Sequence, residues 1–273
     1  MKAIQKLLDQ HGIKQVVEAV LEARRSPPQA LRVLGLDINT NSTGYAVLNQ
    51  AGRLESYGHV STKHLQSDTQ MLDIGVAIAA RLKQLETDHH ASSGVAWHVG
   101  IEDFLRTFSG GNFHTKGLFQ LAQLNGLVSY CALTTFGVPP VHVHPTAARA
   151  FFALQVPSDA KPLKKKKDAI KHIVHAHLLA SEPALDMGRL AVTVQQDIAD
   201  AYVVASYTWW QAVVDQVLLQ AAPTLETWRP AMESILAKQI EKKTTKKLSK
   251  DAYLDAVLRD EVVTWVREHR NDM

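Results

Sequence analysis

A chain of 273 residues with 46% hydrophobic and 21% charged residues can bury a sizeable core, which excludes a wholly disordered protein. Thirty basic against 27 acidic side chains leave a formal charge of +3, too mild to demand a polyanionic partner, so local clusters matter more than the sum. A single cysteine, Cys131, excludes an intrachain disulfide and points to a reducing compartment, and no apolar run approaches the ~20 residues that cross a bilayer. No secretory pattern opens the chain. A soluble, intracellular protein is expected, either cytoplasmic or in a mitochondrial or other organellar nucleoid.

Residues 1–25 repeat apolar side chains at helical spacing (Ile4, Leu7, Leu8, Val16, Val17, Val20, Leu21), with a break near His11-Gly12. Asp9, Glu18 and Glu22 argue against an organelle presequence, and Ser26-Pro27-Pro28 ends this helical extension. Leu31 to Asp37 then reads as a buried strand. A polar turn leads to a second strand at Gly44 to Leu48, and Gln50-Ala51-Gly52 makes a hairpin with a third at Arg53 to Val60. Thr69 to Leu85 has helical periodicity, Ala96 to Ile101 is a strand with Glu102 at its end, and Leu118 to Phe136 is a helix. A short strand at Val141 to Val143 follows. Helices are expected near Thr146 to Leu154, Leu163 to Leu179 and Gln195 to Leu219, and beyond Pro223 at Thr224 to Ile240 and Asp251 to His269, around a lysine-rich break. The predicted architecture is α/β, a mixed five-stranded sheet with helices on both faces and helical N- and C-terminal extensions. The expected division is 1–28, 29–222 and 223–273.

Four acids stand where backbone geometry can gather them. Asp37 and Glu102 each terminate a predicted strand, and Asp197 and Asp200, three apart, share one face of a helix whose Ala199 and Ala201 permit close approach to a sheet. Clustered carboxylates repel unless a cation compensates, so this set points to hard divalent ions with oxygen ligands, Mg2+ or Mn2+. Two such ions ~4 Å apart support in-line displacement at a phosphodiester.

The wording around these acids resembles the RuvC-type Holliday junction resolvases of the RNase H-like superfamily. Leu34-Gly35-Leu36-Asp37-Ile38-Asn39-Thr40-Asn41-Ser42-Thr43-Gly44-Tyr45 is similar to the family's first-strand motif, and Gly100-Ile101-Glu102-Asp103-Phe104 to its second. Leu118 to Gly126 looks like the helix that follows, and Asp197-Ile198-Ala199-Asp200-Ala201 like the last motif. The resemblance covers about Leu31 to Tyr207. It implies an RNase H-like fold, a homodimer clasping a four-way DNA junction, paired incisions with two divalent ions, and Asp37, Glu102, Asp197 and Asp200 as catalytic metal ligands. The loop with Asn39 and Asn41 lacks the proline and glycine common in bacterial members, and both extensions lie outside the usual core.

The segment Phe104 to Lys116 mixes aromatic and basic residues around Gly110-Gly111, so Phe104, Arg106 and Lys116 are candidates for contacting unstacked bases and phosphates. Lys164, Lys165, Lys166 and Lys167 form the densest positive run, extended by Arg149 and Lys171, and suit phosphate neutralisation. The histidines His142, His144, His172, His175 and His177 lack cysteine partners and read as packing or surface residues rather than a zinc site. The leading expectation is a Mg2+-dependent structure-specific endonuclease. Its competitors are a nuclease for RNA or simpler DNA, and a nonenzymatic nucleic-acid-binding assembly factor.

Overall fold

A computed structural model describes residues 2–10, 12–25, 31–65, 69–89, 95–103, 115–156, 163–243 and 249–270. In chain order the elements are α1 (Lys2–Gln10), α2 (Ile13–Arg25), β1 (Leu31–Asp37), β2 (Ser42–Leu48), β3 (Leu54–Ser61) and α3 (Gln70–His89). There follow β4 (Ala96–Glu102), α4 (Thr115–Phe136), β5 (Val141–Val143), α5 (Pro145–Phe151), α6 (Leu163–Ser181), α7 (Val192–Lys243) and α8 (Lys250–His269). The chain forms two compact units, one of Pro27–Trp209 and one of Met1–Ser26 with Trp210–Met273.

The first unit is built on one sheet of order β3-β2-β1-β4-β5. β1 and β2, like β2 and β3, are antiparallel, whereas β4 runs parallel to β1 and β5 parallel to β4. This is the mixed five-stranded sheet expected from the sequence. Strand side chains alternate between faces, and the two faces receive different helices. Leu34 and Leu36 of β1, Tyr45 and Val47 of β2, and Val99 and Ile101 of β4 pack with Ile74, Ile78 and Leu82 of α3 and Leu124 and Val128 of α4. The other face carries Gly35, Gly44 and Gly100, and α7 lies directly on it. A Cβ at Gly35 would strike the Ala201 carbonyl and the Ala205 amide, one at Gly44 the Asp197 carbonyl, and one at Gly100 the Thr208 hydroxyl. The absence of side chains at these positions sets how close α7 comes.

The second unit gathers α1, α2, α8 and the part of α7 beyond Trp209. Ile4, Met232, Leu236 and Leu254 form its apolar cluster. Polar links tie the chain ends together, with Trp265 Nε1 donating to Asp9 Oδ1 at 2.6 Å and Gln5 Nε2 donating to the Glu261 carbonyl at 2.9 Å.

One element departs from expectation. Where two helices separated at Pro223 are predicted, α7 is a single helix of 52 residues with Pro223 and Pro230 inside it, so the predicted boundary at 222/223 falls within a helix. Each proline removes one backbone hydrogen bond. Pro223 and Pro230 both sit on an exposed stretch, as do Leu219 and Glu226 four residues before them, so water can satisfy the freed carbonyls. Meanwhile Ala221, Trp228, Met232 and Leu236 continue a buried stripe across both prolines. Among the described residues no helix is long and apolar enough to cross a membrane.

Candidate active site

The alternation that sends Leu34 and Leu36 towards α3 and α4 sends Asp37, the last residue of β1, towards α7. In β4 the same parity separates Val99 and Ile101 from Gly100 and Glu102. Because β1 and β4 are parallel neighbours with Leu36 opposite Ile101, their terminal carboxylates end side by side on one face. Asp37 is also opposite Gly44, the residue that admits the backbone of Asp197, and one helical turn carries α7 on to Asp200. These placements bring Glu102, Asp200 and Asp197 within electrostatic reach of Asp37 near the ends of β1 and β4.

Their electrostatics record the crowding. Burial raises the Asp37 carboxyl well above the ordinary range, and Glu102, Asp200 and Asp197 push it further in the same direction. Glu102 is raised from 4.5 to about 7, chiefly by burial and then by Asp200. Asp197 is also raised, first by burial, while the neighbouring Ser42 and the charges of Lys171 and His59 pull it back. A cation enters the cluster from α5, where Arg149 Nη2 donates to Asp200 Oδ1 at 2.9 Å and also feels Glu102 and Asp37. Burial works against the charge of Arg149, but these three acids outweigh it and raise its pKa.

The backbone around these groups is tied down. The Asp103 amide donates to the Val143 carbonyl at 2.8 Å, joining the end of β4 to the end of β5, and Asn125 Nδ2 donates to the Glu102 carbonyl at 3.2 Å. Pro145 at the first position of α5 suits a helix start, since its missing N–H would have no partner there. Beyond Asp37, Thr62 donates from its amide to the Asn41 carbonyl and from Oγ1 to the Thr40 carbonyl, pinning the β1–β2 turn.

Of the other candidates, Lys171 is on α6, exposed and within electrostatic reach of Asp197. Lys164, Lys165, Lys166 and Lys167 occupy the first turns of α6 and Lys116 the first turn of α4; their side chains lie outside the described residues. Phe104 and Arg106 fall in 104–114, also outside them. Sequence reasoning does not single out Ser42 or His59. The hairpin register carries a signal for His59, because it pairs with Gly44, the residue beside Asp197.

Comparison with known proteins gives a likeness among solved structures alone, since no family model and no curated protein sequence matches. Two of the similar structures are of RuvC. Thermus thermophilus RuvC in complex with a Holliday junction substrate has a TM-score of 0.41 at 17% identity, covering 66% of this chain and 94% of RuvC. A second T. thermophilus RuvC structure gives 0.41 at 16% identity over the same shares. An exopolyphosphatase-like protein gives 0.28 at 13% identity, covering 49% of this chain and 39% of its own. At these values the likeness carries no weight by itself, and the reading of the site rests on its side-chain geometry.

The donor set, four carboxylates with partly buried oxygens, is the chemistry that Mg2+ and Mn2+ prefer. Among the described residues no three of the acidic, histidine or cysteine side chains already stand at the mutual spacing of one ion's ligand shell. In type and number the four carboxylates suit a hard divalent cation.

A raised carboxyl makes stability depend on pH. Glu102 holds its proton up to about 7 in the folded chain but only to about 4.5 when unfolded, so the folded state binds more protons between these values. Stability is therefore highest near the lower limit and falls as pH rises through the window, by an amount on the order of 1–3 kcal/mol from this group. Urea unfolding in chelator at pH 5.5 and 8 checks this. A midpoint unchanged or higher at pH 8 would contradict the buried placement of Glu102.

Proposed function

We propose that this chain is a divalent-metal-dependent endonuclease acting on branched DNA, with four-way junctions as substrate and a homodimer as the working form. The reading is carried by the convergence of Asp37, Glu102, Asp197 and Asp200 on one sheet face, where burial and mutual repulsion raise Asp37 and Glu102. A fold gains nothing in stability from such a grouping, so a ligand that offsets it is the economical explanation.

In this reading the four acids hold Mg2+ or Mn2+, two ions in all. Those ions supply activation of a water nucleophile and stabilisation of the departing oxygen in phosphodiester hydrolysis. Lys171, with Lys164 to Lys167 on the same helix, neutralises substrate phosphates close to Asp197. Arg149 brings a positive charge into the carboxylate cluster itself, while Phe104, Arg106 and Lys116 belong to the segment that follows Glu102 and meets the branch. For the homodimer, the exposed apolar side chains of the helices on the opposite face, Phe119, Tyr130 and Leu133 of α4 and Leu72 and Val76 of α3, offer contact groups.

The test is cutting of a synthetic four-way junction in Mg2+, beside linear duplex and an RNA–DNA hybrid. Faster cutting of the junction is expected, abolished by chelator, with two protein copies per junction by sedimentation. Equal cutting of linear duplex or hybrid moves the substrate to simpler DNA or RNA. No cutting of any of them, with binding intact, leaves a nonenzymatic binding protein.

A further inference from the structure

The carboxylate cluster contains a countercharge of its own, and its attachment is lopsided. Arg149 donates to Asp200, and of the four acids Asp200 is the one to which it is ion-paired. The Arg149 side chain is 24% exposed and that of Asp200 13%, so the pair is shielded from water though not sealed.

The backbone that carries Arg149 is held on both sides. Ahead of it, β5 is paired with β4 and runs straight into α5. Behind it, Phe151 packs edge-on against Tyr207 of α7 with ring centres 5.5 Å apart, and Phe152 lies 5.1 Å from the ring of His177 on α6. The Leu154 amide donates back to the Arg149 carbonyl at 2.8 Å. Ala153, between these contacts, is the described non-glycine residue with a positive φ, 58°. That conformation costs an alanine energy and persists only where its surroundings impose it. The Cα of Arg149 is thus fixed beside the acids, whereas its long side chain keeps rotatable bonds. A change of partner for Arg149 is a rotamer change and needs no movement of the fold.

We propose that Arg149 is an exchangeable countercharge, which holds Asp200 until a divalent cation arrives and then gives that carboxylate up to the metal. The inference rests on the nuclease reading of the same site. A guanidinium supplies one positive charge through hydrogen bonds, whereas a divalent ion supplies two and binds carboxylate oxygens directly. With two positive charges of different kinds competing for one carboxylate, metal affinity is reduced by whatever the ion pair is worth. Arg149 lets the folded chain tolerate its clustered acids before metal binds, and it sets the metal concentration at which the site loads. This makes it a positioning residue for Asp200.

The experiment titrates Mn2+ alone into wild type and Arg149→Gln by calorimetry, with melting in chelator and in saturating Mn2+. The variant is expected to bind Mn2+ about tenfold more tightly, equal to removal of an ion pair of ~1.4 kcal/mol. It should also melt below wild type in chelator at pH 8 and recover most of the difference in Mn2+. A structural ion pair that stays closed predicts the reverse, equal or weaker Mn2+ binding, and that result overturns the inference. Should Arg149→Gln not fold, wild type labelled with 15N-arginine gives the answer. Mg2+ should then shift the side-chain Nε signal of Arg149, assigned by its loss in Arg149→Lys, and an unmoved signal overturns the inference. Junction cutting in Mg2+ separates the two readings. Cutting with an unmoved Arg149 removes the exchange alone, and exchange without cutting of any nucleic acid removes the nuclease alone. Failure of wild type to bind either metal removes both.

Discussion

Asp37→Asn is expected to bind a four-way junction as wild type does and to cut it at least ~10²–10³-fold more slowly, while melting at a higher temperature than wild type in chelator. Asparagine has nearly the shape of aspartate and keeps one carbonyl oxygen, so β1 and its pairing with Gly44 are undisturbed. What disappears is the charge. Asp37 carries that charge against burial first and then against Glu102, Asp200 and Asp197, and Arg149 offsets the sum only in part. A neutral side chain removes this opposition and stabilises the folded state without metal. The same change removes a ligand oxygen and the negative charge that would hold a cation, so Mn2+ affinity and Mn2+-dependent stabilisation should both fall. Opposite signs for stability and activity mark a group kept for chemistry. Loss of both together would mean that Asp37 serves the fold. Unchanged cutting would remove the acid cluster from the reaction.

Much of this site is legible in the amino-acid sequence itself, for identifiable reasons. Asp37 and Glu102 end strands whose alternating apolar residues, Leu34 and Leu36 or Val99 and Ile101, already fix which face each carboxylate takes. The i, i+3 spacing places Asp197 and Asp200 on one side of their helix. Arg149 is less legible in role, because a lone arginine on a seven-residue helix gives no local sign of its partner. Its place comes from β5 joining the sheet beside β4, a pairing of residues some forty positions apart. Ser42 and His59 depend likewise on a hairpin register, which a one-residue slip would send to the opposite face. The prolines of α7 read as helix breakers by their usual effect, but a buried stripe running through Trp228 and Met232 outweighs two lost backbone hydrogen bonds. The terminal extensions share one unit through contacts such as Trp265 with Asp9, which sequence proximity cannot reveal.

Gly35→Ala should lower stability by ~3 kcal/mol and the melting temperature by roughly 5–10 °C. The added Cβ would meet the Ala201 carbonyl, the Ala205 amide and the Ala205 side chain together, so two of its three nearest obstacles are helix backbone that cannot rotate away. Relief requires α7 to lift from β1. Asp197 and Asp200 ride on that helix, and a displacement approaching ~1 Å suffices to cost ~10²-fold in cutting. The variant should therefore lose activity beyond what its unfolded fraction explains, measured at a temperature where it remains folded. Gly126→Ala is the matched control, a glycine of α4 with open space around it, where alanine should stabilise by ~0.5–1 kcal/mol through helix propensity. Similar effects from the two substitutions would show that α7 is not seated through the glycine furrow. The approach of Asp197 and Asp200 to Asp37 and Glu102 would then need another cause.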